Sequence, residues 1–118
     1  MILNLLFILF SYLPIGVPNI SGASTVSTTN YLAIKKNHPD WEFEYRLDVI
    51  GYTLMDHGRL HDGIKVLELN AKENPKSGNA FDSLADGYFR NNDLALSKEN
   101  YQKALSLSPD NNNAKEML

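Results

Sequence analysis

Laid over itself at a shift of thirty-four residues, the chain matches from Leu47 onward, and no other feature restricts its possible folds as strongly. The first copy contributes Leu47, Ile50, Gly51, Leu54, Gly58, Gly63, Leu67 and Pro75. Phe81, Leu84, Ala85, Tyr88, Asn92, Ser97, Tyr101 and Pro109 follow at the same offset. Large apolar residues recur at spacings of three and four, which lines them up on one stripe of a helix. The small residues Gly51 and Ala85, and then Gly63 and Ser97, leave room for a neighbouring helix to approach closely.

Each copy therefore reads as a helical hairpin. Gly58 and the Asn91-Asn92-Asp93 run tolerate a left-handed backbone and turn the chain between two helices. Pro75 and Pro109 end the second helix of each pair. Beyond Pro109 the pattern restarts, with Asn113, Ala114 and Leu118 at the positions of Asn79, Ala80 and Leu84, and predicts a short capping helix. Asn70 interrupts an otherwise apolar stripe, and its buried amide needs partners.

The copies resemble the tetratricopeptide pattern of a bulky residue, Leu-Gly, Tyr, Ala, Phe and Pro, most closely in FDSLADGYFRNNDLALSKENYQKALSLSPDN. The resemblance implies an all-α fold, a short right-handed solenoid of two helical hairpins with a C-terminal capping helix. Residues 44–77 form the first repeat, residues 78–111 the second and residues 112–118 the truncated cap. A wider resemblance, over about residues 31–118, is to the repeat-bearing tail of secreted bacterial serine hydrolases of beta-lactamase-like and esterase-like type. It rests on Leu47-Asp48-Val49-Ile50-Gly51-Tyr52, Leu67-Glu68-Leu69-Asn70, Pro75-Lys76-Ser77-Gly78-Asn79 and Asp82-Ser83-Leu84. It implies an alternative role as an orphaned tail without its catalytic domain.

Residues 1–13, MILNLLFILFSYL, form an apolar run too short to span a bilayer comfortably, and Pro14, Gly16 and Pro18 stop any helix behind it. Small residues at Ser21-Gly22-Ala23 give residues 1–23 the form of a secretory leader cut after Ala23. No Lys or Arg precedes the run, so an uncleaved membrane anchor is the alternative. The expectation is an exported chain, periplasmic or secreted, with no stable transmembrane span once the leader is removed. Residues 24–43 then form a polar linker, and Tyr31, Leu32 and Ile34 suit a short helix capping the open end above Trp41 and Phe43.

Chemistry is sparse. With no cysteine among 118 residues there is neither a thiolate nucleophile nor a Cys-based metal site. A net charge of −3, evenly spread, lacks the basic stripe that nucleic-acid binding requires. Neither Ser-x-x-Lys nor Gly-x-Ser-x-Gly occurs, and Ser77 and Ser97 read as capping and packing residues. His57 and His61, flanked by Asp56 and Asp62, have a spacing that could hold a metal on a continuous helix, but Gly58 falls between them and favours a solvated turn. The chain is therefore expected to be non-enzymatic, with neither cofactor nor metal.

By the same resemblance a partner would bind the concave side, formed by the first helix of each pair. The candidate residues there are Tyr45, Asp48, Tyr52, Met55, Asp82, Asp86, Phe89 and Arg90, with Asp56 and Asn79 beside them. Acidic groups interleaved with aromatics favour a basic or amide-rich peptide or protein segment with apolar anchors. The competing reading makes these aspartates a solvated helix face. Two repeats leave open ends, so self-association is a further expectation.

Overall fold

The computed structural model describes residues 28–118, with side chains from Leu32 onward, and the leader expected in residues 1–23 lies outside them. The described residues are all-α, with no strand among them. Six helices follow in order: α1 (Thr28–Asn37), α2 (Phe43–Asp56), α3 (Leu60–Glu73), α4 (Gly78–Arg90), α5 (Leu94–Leu107) and α6 (Asn112–Met117). None of these is long and apolar enough to cross a membrane. The chain divides into two compact units, and the boundary between Arg46 and Leu47 falls in the first turn of α2.

In the first unit α1 occupies the segment expected to be helical, and the turn behind it is closed by aromatic contacts. His38 stacks on Trp41 at a centroid distance of 3.7 Å, and Trp41 meets Phe43 at 5.7 Å. The Arg46 guanidinium lies over the same indole, 5.8 Å from its centre.

The second unit, Leu47–Leu118, holds two hairpins, α2/α3 and α4/α5, followed by the short α6. Their ends repeat with the period of the sequence. Gly58 and Asn92, thirty-four residues apart, are the two described positions with left-handed φ, at 78° and 62°. Gly tolerates that region without steric cost and Asn more readily than most residues, so each supplies the turn its hairpin requires. At the next boundary Ser77 and Asn111 are equivalent N-caps, whose side chains accept from the Ala80 and Ala114 backbone N–H groups at 3.1 and 2.9 Å.

One apolar cluster joins three helices, with Met55 from α2, Ile64, Leu67 and Ala71 from α3, and Ala80 and Leu84 from α4. A second joins Ala85 on α4 to Tyr101 and Ala104 on α5 and to Ala114 on α6. Each cluster reaches past one hairpin into the next element, so stacking completes the core. Gly51 and Gly63 set the spacing of the first hairpin: a Cβ on Gly63 would fall 2.6 Å from the Gly51 carbonyl oxygen and 2.5 Å from Met55 Cγ. Asn70, fully buried, obtains its partner locally, because the Asn74 amide donates to its Oδ1 at 2.8 Å and to its carbonyl at 3.0 Å. The α3 cap and a buried polar side chain are thereby satisfied together.

Candidate partner-binding face

The polar stripe of α2, Asp48, Tyr52 and Asp56, and that of α4, Asp82, Asp86 and Arg90, each advance by four residues and so share one side of their helices. Side chains join the two stripes at the repeat interval itself. The Tyr52 hydroxyl donates to Asp86 Oδ2 at 3.1 Å, and Arg90 Nη1 donates to Asp56 Oδ1 at 2.8 Å. Both pairs are thirty-four residues apart, as expected when equivalent helices of successive hairpins stand side by side.

Asp86 is the hub. Besides Tyr52 it accepts from the hydroxyl of the buried Tyr101 at 3.1 Å, and Arg90 Nη2 lies 3.8 Å from its Oδ2. Burial, reinforced by the negative charge of Asp86, pushes both tyrosine hydroxyls well above their ordinary pKa, so they remain protonated donors. Arg90 also covers the Tyr52 ring, 5.4 Å from its centre, and its hydrogen bond to Asp56 raises its own pKa. The Arg90–Asp56 pair is largely exposed and contributes little to stability, but it fixes where the cation sits.

Asp82 is held differently. Both its oxygens accept from the Asn113 amide of α6, at 3.1 and 3.0 Å. Burial pushes its carboxyl above the ordinary range, and the charge of Asp86 one turn away acts in the same direction, against the lowering effect of the Asn113 and Asn111 amides.

Of the eight candidate residues, Asp48, Tyr52, Asp82 and Asp86 are half-buried on these helices, and Phe89 and Arg90 are exposed at the end of α4. Phe89, at 49% exposure, presents the largest apolar surface among them in this unit. Tyr45 belongs to the first unit and is 66% exposed there. Met55 must be corrected: it is 7% exposed and packs in the core beside Gly63. It lies four residues after Gly51 and eight after Leu47, on the apolar stripe rather than on the polar one. Tyr101 was missed as a contributor, although a tyrosine on a buried stripe signals a hydroxyl in need of an acceptor.

His57 and His61 fall on opposite sides of the Gly58 turn, and the His57 ring nitrogen pairs locally with the Thr53 carbonyl at 2.8 Å. Among the described residues no group of three His, Asp or Glu side chains is arranged to hold a metal ion. The arrangement is an aromatic and carboxylate surface, held by side chains that reach from one helix to the next. A scan against protein-family models gives no match to this chain, and neither does a search of curated proteins.

Proposed function

We propose that the chain is a non-catalytic interaction module of tetratricopeptide type, which binds a basic or amide-rich peptide segment with apolar anchors on the face formed by α2 and α4. The observation that carries this reading is the pairing of Tyr52 with Asp86 and of Asp56 with Arg90 across one repeat interval. These contacts order a continuous surface in advance, so a ligand meets groups already oriented and less entropy is lost on binding. Phe89 offers an exposed apolar anchor point beside that surface.

The test is fluorescence anisotropy with two labelled peptide series, one basic and one acidic, sharing the same leucine and phenylalanine positions. The basic series should bind, and Phe89→Ala should weaken it by about 1–2 kcal/mol, the scale of an interface anchor, with the unfolding midpoint unchanged. Equal binding of both series, or no binding of either, would refute the assignment.

A further inference from the structure

We propose that α6 is an autoinhibitory element, in which Asn113 holds Asp82 in the place that a lysine or arginine side chain of a partner takes, so that partner binding releases the helix. The inference rests on the reading of this face as a partner-binding surface.

Helix α6 is weakly held. Among the described residues its ties include the Asn111 cap on the Ala114 N–H, the small buried side chain of Ala114, and the amides of Asn113 and Asn111 on Asp82. Lys115, Glu116, Met117 and Leu118 are all exposed. Alanine buries little apolar area, so the contacts of Asn113 and Asn111 with Asp82 are a large share of what keeps α6 in place.

The contact is also a poor match in charge. Asn113 gives Asp82 only a neutral donor, whereas Asp56 on the neighbouring helix has the Arg90 cation. Burial and the adjacent Asp86 charge leave the Asp82 carboxylate under-compensated. The Asn113 bond is ionic on the acceptor side alone, whereas a guanidinium brings the opposite charge as well, and its planar fork matches the two oxygens that Asn113 now occupies. A basic ligand therefore gains by taking Asp82, and α6 loses its polar tie when it does.

The experiment uses the full chain and an amidated, labelled Arg-Leu-Arg-Leu-Arg peptide as probe. Affinity is read by anisotropy, and release of α6 by hydrogen exchange of residues 112–118. Probe binding should accelerate exchange in α6. Asn113→Ala, which removes the competitor, should tighten binding about threefold to tenfold, the worth of an ordinary hydrogen bond. Asp82→Asn should weaken binding and abolish the effect of probe on exchange. Probe that binds while α6 exchange stays unchanged or slows, or that binds Asn113→Ala no more tightly, overturns the autoinhibition and leaves the binding face standing. Probe that binds neither protein overturns the binding face, and autoinhibition with it.

Discussion

The two hairpins occupy the same repeat positions but are packed by different means. In α2/α3 the helices meet at Gly51 and Gly63, where backbone lies against backbone and Met55 and Leu67 close over the contact. In α4/α5 the equivalent residues are Ala85 and Ser97, both buried, and the large side chain at the centre is Tyr101 rather than Leu67. The first hairpin is held by close approach and apolar filling. The second carries side chains through its interface, and one of them, Tyr101, extends a hydroxyl to Asp86 on the polar stripe of α4. A repeat thus conserves its spacing while moving from steric fit to a polar link, and the link falls where the candidate binding face lies.

The contrast is broken most severely at Gly63. Gly63→Ala sets a methyl group against the Gly51 carbonyl, which cannot move aside, and should cost about 3 kcal/mol by overpacking. The equivalent Ser97→Ala removes only a hydroxyl and should change stability by less than about 1 kcal/mol. Urea denaturation of both variants measures the difference; equal losses would mean that the hairpins are packed alike.

Tyr101→Phe sharpens the comparison from the other side. It keeps the ring and deletes the donor to Asp86, for an expected loss of about 1–2 kcal/mol, because the acceptor is charged. The loss should persist across neutral pH, since burial holds the hydroxyl protonated there.

The smallest effect separates the two equivalent caps. Ser77→Ala removes the cap of α4 in the middle of the stacked core and should cost about 1 kcal/mol of global stability. Asn111→Ala strips the same kind of cap from α6 and should appear mainly as faster hydrogen exchange in residues 112–118.

Much of this architecture was legible in the sequence because it is local or periodic. The hairpins, the left-handed turns at Gly58 and Asn92, the Ser77 cap and the close approach at Gly63 each follow from one residue type at one offset. The need of Asn70 for a partner was legible but the partner was not named, and Asn74 supplies it four residues along the chain. Met55 was misread through family register, although its own spacing from Leu47 and Gly51 places it inside. The destinations of the Asp86 and Asp82 carboxylates were not legible, because Tyr101 and Asn113 reach them from other helices, fifteen and thirty-one residues away in sequence.

Equivalent helices of successive hairpins stand side by side and share side chains across one repeat, and the proposed binding face is built on that arrangement. A double-mutant cycle on Tyr52→Phe and Asp86→Ala, followed by urea denaturation, tests that directly. The two substitutions should be coupled by about 1 kcal/mol, as for groups in direct contact. Additive losses would contradict the side-by-side arrangement on which the proposed binding face is built.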